Sequence, residues 1–292
     1  MSNQTHISRP RVACEISAER MVVARAAEPG KNLEAATSAT LPAGLLTPGL
    51  QQANISEKAR LVPALQGLLS SIGGRSRDIC LVIPDASTRI MLLDFDTLPE
   101  KLLDANAVVR FRLKKSLPFD VDQSAVSFDR QGTSNPVRVV AAVTPRSILD
   151  EYEGLVREAG YNPGAVLPST LAALGLVDAS RPSMVIKVEQ GTTTFTIVDQ
   201  EQLLLYRSLE NGGAAVTGES LVNDVNTSLV YFEDRYGVSV ERVLVAGVQS
   251  PQELQTAFPN IRVEELLSSA AAITATGNVS RSALAGVAGA LA

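Results

Sequence analysis

Residues 11–27 read Arg-Val-Ala-Cys-Glu-Ile-Ser-Ala-Glu-Arg-Met-Val-Val-Ala-Arg-Ala-Ala. Val12, Cys14 and Ile16 alternate with Arg11, Glu15 and Ser17, the period of two that marks a strand. Ala18-Glu19 is a short turn, and Arg20 to Ala27 reads as a second strand, so the chain opens on a hairpin. The first strand ends in an acid, one residue and a small residue, Glu15-Ile16-Ser17. The same step recurs far downstream as Val188-Glu189-Gln190-Gly191-Thr192-Thr193-Thr194, at the end of an apolar run from Met184. There too strands follow in series, over Thr192–Asp199 and Gln202–Leu209. Antiparallel hairpins that feed helices twice over predict an α/β chain of two duplicated lobes with a cleft between them.

Between and beyond these hairpins the pattern is mixed. Glu28 to Ile55 is rich in Ala, Pro, Thr and Gly and reads as a loop, either a binding arm or a surface insertion. Ser56 to Gly73 carries Leu61, Leu65, Leu68, Leu69 and Ile72 at helical spacing, with Pro63 near its start. Ile79–Ile83 is a continuous apolar run that fits a central strand, and Ser87–Phe95 is another strand. Pro99 is placed to open a helix that runs to about Ser116. Val126–Phe128 and Val137–Val143 predict two strands joined at Gly132–Pro136, and Pro145 begins an amphipathic helix that ends at Gly160. In the second half a long helix follows Gly212-Gly213, Val243–Ala246 is a strand, Pro251–Phe258 a short helix and Ser282–Leu291 a last one.

Composition narrows the function. At 292 residues, with 45% hydrophobic and 20% charged residues, the chain fits about two buried domains. A net charge of −5 argues against a nucleic-acid partner, which needs a basic footprint. The one histidine, His6, lies in a polar N-terminal stretch, so His-based triads and metal sites are not expected. Cys14 and Cys80 sit in apolar runs outside any metal or redox spacing and read as core thiols. No run of about 18 apolar residues free of charge is present, and the start lacks the apolar core of a signal peptide, so a cytoplasmic chain is expected.

Three stretches in order carry a resemblance: Val12–Ser17, Val188–Thr194 and Val243-Leu244-Val245-Ala246-Gly247. They resemble the first phosphate loop, second phosphate loop and adenosine loop of the actin-like ATPase superfamily. Within it the chain is similar to the PilM family of type IV pilus assembly proteins. The likeness runs through Ile83-Pro84, Leu92-Leu93-Asp94-Phe95-Asp96-Thr97-Leu98-Pro99, Lys115-Ser116-Leu117-Pro118-Phe119-Asp120 and Tyr206-Arg207-Ser208-Leu209-Glu210-Asn211-Gly212-Gly213. It implies a two-lobed actin-like (ribonuclease H-like) fold. The first lobe would cover 1–182 with an inserted subdomain at about 96–143, the second 183–270, and 271–292 would return to the first lobe. It implies a partner, the short cytoplasmic N-terminal peptide of the membrane protein PilN, within a complex that holds the pilus motor and platform proteins. It also implies a place at the inner face of the cytoplasmic membrane, reached through those partners.

The resemblance further implies ATP with Mg²⁺ as cofactor, held by Glu15, Ser17, Glu189, Gly191, Thr192, Thr193, Gly212, Gly213 and Gly247. Such a site needs glycine where backbone N–H groups approach phosphate, and a short carboxylate for the water shell of the metal. The family's loops read Asp-x-Gly. Here both acids are the longer Glu, Ser17 stands where the family has glycine, Lys187 lies two residues before Glu189, and Val248 follows Gly247. These departures predict a degenerate site with weak or lost ATP binding and negligible turnover.

Two further features are open at the level of sequence. Arg110, Arg112, Lys114 and Lys115 surround Phe111 and Leu113 in the expected insertion, where the partner groove is expected. They are either a docking face for an acidic partner or anionic lipid, or cations that complement a helix C-terminus. Asp94 and Asp96 fall on one side of a strand and read as a solvated face rather than a catalytic pair. The reading that unites these features is a PilM-like scaffold. Its alternatives are an active actin-like ATPase or sugar kinase, and a relative of the type II secretion assembly protein GspL.

Overall fold

The computed structural model describes residues 10–28, 32–74, 76–132, 136–211, 218–249, 251–267 and 279–292. His6, residues 133–135, Gly212, Gly213 and residues 268–278 lie outside the described residues. The opening hairpin pairs β1 (Val12–Ile16) with β2 (Arg20–Ala26), with Ile16 opposite Met21. β3 (Leu33–Thr40) continues it antiparallel, inside the stretch that reads from sequence as a loop. Its Leu-Glu-Ala-Ala-Thr-Ser-Ala-Thr sequence has little apolar bulk because, among the described residues, it is the outermost strand and pairs only with β2.

α1 (Lys58–Ser71) buries Leu61, Leu65 and Leu69 and runs through Pro63. One lost backbone bond does not end a helix whose apolar stripe is covered. β4 (Asp78–Ile83) lies parallel to β1, and a short 3₁₀ turn, Asp85–Ser87, leads out of the lobe. There β5 (Arg89–Phe95), α2 (Leu102–Lys114), β6 (Ser124–Gln131) and β7 (Val137–Pro145) build a separate antiparallel sheet in the order β5-β7-β6. α2 packs Ala105, Val109 and Leu113 on Val139, Ala141 and Val143. This sheet starts at Arg89, ahead of the expected Asp96, and its helix starts at Leu102 rather than Pro99. α3 (Arg146–Glu158) then returns to the lobe, and β8 (Asn162–Pro168) lies parallel to β4.

After α4 (Ser169–Ala173) the plan repeats. β9 (Ser183–Glu189), β10 (Thr192–Asp199) and β11 (Gln202–Glu210) form a meander, followed by α5 (Gly218–Tyr236), β12 (Arg242–Ala246), α6 (Pro251–Ala257) and β13 (Arg262–Glu265). The two large sheets run β3-β2-β1-β4-β8 and β11-β10-β9-β12-β13, the same order of connection twice. In each, the first strand of the meander lies at the centre of the sheet and is flanked by a parallel strand.

Each sheet has an outer core of its own. In the first, α1 and α3 cover Cys14, Ile16, Leu81 and Ile83; in the second, α5 and α6 cover Ile186, Phe195 and Val245. Between the sheets lie α4 and α7 (Ala285–Leu291). Val287, Ala288 and Leu291 of α7 pack on Ala13, Val22 and Cys80 of the first sheet, while Ala285 packs with Ala173 on Val185 and Leu244 of the second. The last helix therefore joins both sheets. Cys14 and Cys80 are buried in the cores on opposite faces of the first sheet.

Candidate functional site

The lobes meet where β1, β9 and β12 end. Their C-terminal residues bring Glu15, Ser17, Lys187, Glu189 and Gly247 around one small cavity of about 50 Å³. A buried ion network fills this point. Lys187 Nζ donates to Glu15 Oε1 at 2.9 Å and to Glu189 Oε1 at 2.5 Å. It also donates to Ser169 Oγ at the start of α4, and Ser169 in turn donates to Glu15 Oε1. The Lys187 and Glu15 side chains are each only 7% exposed. Burial draws the Lys187 amine down, but Glu15, Glu189 and Asp85 outweigh it and hold the amine above its ordinary range. Burial likewise draws Glu189 up, and the adjacent Lys187 overrides it to leave that carboxyl below the usual range.

Asp85 lies behind this network, in the 3₁₀ turn after β4. Its Oδ1 accepts the backbone N–H of Thr170 at 2.9 Å, and its Oδ2 accepts the hydroxyls of Thr170 and, at 3.1 Å, of Thr194 on β10. Burial first, and Glu189 second, push its carboxyl up to about 6. Asp85, Thr170 and Thr194 thus tie the first lobe, the central helix and the second lobe through one side chain.

Beyond the turn Gln190–Thr192 the cleft opens into a groove of about 660 Å³. Its walls are the segment 44–52 of the first lobe, Arg89, Pro118 and Phe119 of the inserted subdomain, and Gln190, Thr192 and Glu210 of the second lobe. The first wall is held rigidly. Asn54, 1% exposed, accepts Gly49 N–H at 3.1 Å and donates to Gly49 O at 3.0 Å and Gln52 O at 2.9 Å. The same amide oxygen accepts Ser87 Oγ at 2.7 Å and Tyr152 OH at 3.0 Å, and Glu151 accepts the backbone N–H groups of Asn54 and Ile55. The far side is tied across the lobes, where Gln131 Nε2 donates to Leu203 O at 2.9 Å and Leu203 N donates back to Gln131 Oε1 at 2.5 Å.

The residues expected from sequence to hold nucleotide divide into three groups. Glu15, Ser17, Glu189 and Gly247 converge on the small cavity. Gly191 and Thr192 face the groove instead. Thr193 accepts a hydrogen bond from Asn211 Nδ2 at 2.9 Å. Ser17 closes the opening hairpin, its N–H donating to Arg20 O at 2.9 Å and its hydroxyl to the same oxygen at 3.1 Å. Its backbone does not take a positive φ. Gly247 is glycine for two reasons: its φ is +78°, and a Cβ would stand 2.2 Å from Val188 O.

Among the described residues, Mg²⁺ with its water shell does not fit between Glu15 and Glu189. The two carboxylates that would hold a metal's water shell already hold an ammonium group, and Glu15 is pressed on Gly286 of α7, where a Cβ would fall 2.3 Å from its Oε2. Among the described residues the space between these carboxylates is about 50 Å³, far below the roughly 300 Å³ at which ligand pockets begin.

The expected basic face on α2 is not part of the groove wall. Arg110 is spent internally, donating to Asn106 Oδ1 at 2.9 Å, Val121 O at 2.7 Å and Ser124 O at 3.2 Å. Lys114 pairs with Asp122 at 2.6 Å and Lys115 lies over the Phe111 ring at 4.5 Å. Asp94 is an exposed residue, paired with Arg235 of α5 at 3.5 Å. Sequence reasoning missed Asp85, Ser169 and the Asn54–Tyr152 network. Lys187 had a legible signal, a lone cation in an otherwise apolar strand, but its partner Glu15 is 172 residues away.

Two sheets with one repeated connection order, facing each other across a cleft with a subdomain inserted in the first lobe, are the actin-like ATPase fold. No family model and no curated protein sequence matches the chain. Among solved structures it is similar to the PilM-PilN type IV pilus biogenesis complex, with a TM-score of 0.79 and 17% identity, covering 97% of this chain and 98% of that one. It is similar also to the cytoplasmic domain of EpsL, an inner-membrane component of the type II secretion system of Vibrio cholerae. That match has a TM-score of 0.53 and 8% identity, over 89% of this chain and 99% of that one. A protein of Bacteroides thetaiotaomicron with an actin-like ATPase fold and unknown function matches at TM-score 0.53 and 12% identity, covering 91% and 93%.

Proposed function

We propose that this chain is a PilM-like assembly protein of a type IV pilus platform, a scaffold that binds partners rather than a nucleotide-hydrolysing enzyme. The observation that carries the reading is the fit to the PilM-PilN complex over 97% of the chain, well above the fit to the type II secretion domain. The groove beside the inserted subdomain supports it chemically. Its size, its apolar Pro118 and Phe119, and its charged Arg89 and Glu210 suit an extended peptide that carries both apolar and charged side chains. The occupant is the N-terminal cytoplasmic peptide of a PilN-type membrane protein, which places the scaffold at the inner face of the membrane next to motor and platform proteins. In this reading the nucleotide site is degenerate. Arg112, Lys114 and Lys115, with Phe111 62% exposed between them, serve a second contact outside the groove.

Fluorescence anisotropy with a labelled N-terminal peptide of the PilN-type protein from the same organism tests this. The wild-type chain binds at mild salt, Phe119→Asp weakens binding by about tenfold or more, and Arg112→Glu leaves it within about twofold. No binding by the wild type, or equal binding by Phe119→Asp, removes the groove assignment.

A further inference from the structure

We propose that Lys187 is the resident cation of the cleft, standing where a nucleotide-bound metal would otherwise neutralise the two loop carboxylates, and that it clamps the lobes without any ligand. The inference rests on the cleft alone and is independent of the partner reading. An ammonium group has three N–H donors, and all three of Lys187 are committed: to Glu15 on β1, to Glu189 on β9 and to Ser169 on α4. The acceptors belong to the first lobe, the second lobe and the helix between them. One point charge therefore joins the three parts that would have to separate for the cleft to open.

Electrostatics explains why the arrangement is locked. A lysine buried to this depth is tolerated only when paired, and Glu15 and Glu189 supply the opposite charge at hydrogen-bond distance. The dependence is mutual, since without the ammonium two carboxylates and nearby Asp85 would repel one another in a poorly hydrated space. Position matters as well. Lys187 stands on the central strand of the second sheet, paired to Thr194 on one side and Ala246 on the other, so its backbone cannot shift without breaking two ladders. The Gln190–Thr192 turn that walls the groove begins one residue beyond Glu189. The clamp thereby also sets the shape of the groove.

Thermal melting of the full chain tests the clamp. The wild-type melting temperature is expected to be unmoved by Mg²⁺ alone, by Mg-ATP at millimolar concentration, or by chelator. Lys187→Met lowers it strongly. The triple variant Glu15→Gln/Lys187→Met/Glu189→Gln, which removes the ammonium together with both carboxylates, melts above Lys187→Met although it carries more substitutions. Rescue of this kind is the mark of charge compensation and is not expected if Lys187 only fills space. If Lys187→Met does not fold, recovery of soluble, cooperatively melting protein in the triple variant supports the clamp equally. Saturable stabilisation of the wild type by Mg-ATP overturns the proposal, as does a triple variant no more stable or soluble than the single one.

Discussion

The small cavity and the large groove lie on either side of one turn, Gln190–Thr192, yet they are built in opposite ways. The cavity is charged and paired from within through Lys187, its carboxylates already holding an ammonium group, although Glu15 Oε2 is buried there without a hydrogen-bond partner among the described residues. The groove is open, and the polar groups that shape it, Asn54, Ser87 and Tyr152, face the protein behind its wall rather than the space in front. A site whose ammonium donors are all committed within the protein has no free cation left for a ligand. A wall fixed from behind keeps its surface free and loses little entropy when something binds. The fold thus pairs the charges of one face from within and braces the other from behind.

The closed face is the easier to break. α7 crosses α4 so tightly that a Cβ on Gly289 would stand 2.1 Å from Ala172 O and 2.8 Å from Ala173 Cα, both backbone atoms that cannot yield. Gly289→Val is therefore expected to cost about 3 kcal/mol by overpacking, read as a lower denaturant midpoint. An unchanged midpoint would mean that the helices between the sheets are not in close contact. On the groove side, Asn54→Ala strips partners from Gly49, Ser87 and Tyr152 at once and is expected to cost about 2 kcal/mol. Limited proteolysis of this variant should cut first within residues 44–55. Cutting elsewhere would show that the network does not hold the wall.

The behaviour of the cleft with pH separates the two carboxylates that face each other there. Asp85 is raised from 3.8 to about 6 by burial and Glu189, with Lys187 opposing. A carboxyl with a raised folded-state pKa holds its proton more tightly when folded, so it subtracts stability as pH climbs from about 4 to about 6. Glu189 is lowered and acts in the opposite sense: it adds stability above the ordinary carboxylate range, which is lost as pH falls. Asp85→Asn keeps the bond from Thr170 N–H and removes the first effect alone. Its stability relative to wild type should rise by about 2 kcal/mol between pH 4 and 7, measured by denaturant unfolding at each pH. A constant difference across that range would mean that Asp85 titrates normally.

What can be read from residues alone follows the same division between centre and edge. Central strands such as Ile79–Ile83 and Val243–Ala246 announce themselves by continuous apolar runs, because both of their faces are covered. β3, β8 and β13 carry no such signal. All three are outermost strands among the described residues, built from Ala and Thr, from Asn162-Pro163-Gly164, and from Arg262-Val263-Glu264-Glu265, with little apolar pressure on their composition. The acid-x-small steps at Glu15 and Glu189 are legible as loop ends, and so is their departure from the family's pattern. That they share one lysine is not legible, because no local spacing links residue 15 to residue 187.

The smallest expected effect sharpens the contrast most. If serine in place of glycine in the first loop were what stood against Mg-ATP, Ser17→Gly would begin to admit it. In the structure Ser17 lies outside the left-handed region and donates through both its amide and its hydroxyl to Arg20 O. Glycine there should cost no more than about 1 kcal/mol, from the lost hydroxyl bond and the freer unfolded chain. It leaves the ammonium and both carboxylates in place, so titration calorimetry of Ser17→Gly with Mg-ATP should show no binding heat. Binding by this variant would move the cause of closure from Lys187 to the turn. Silence leaves it with the charge, which a glycine cannot displace.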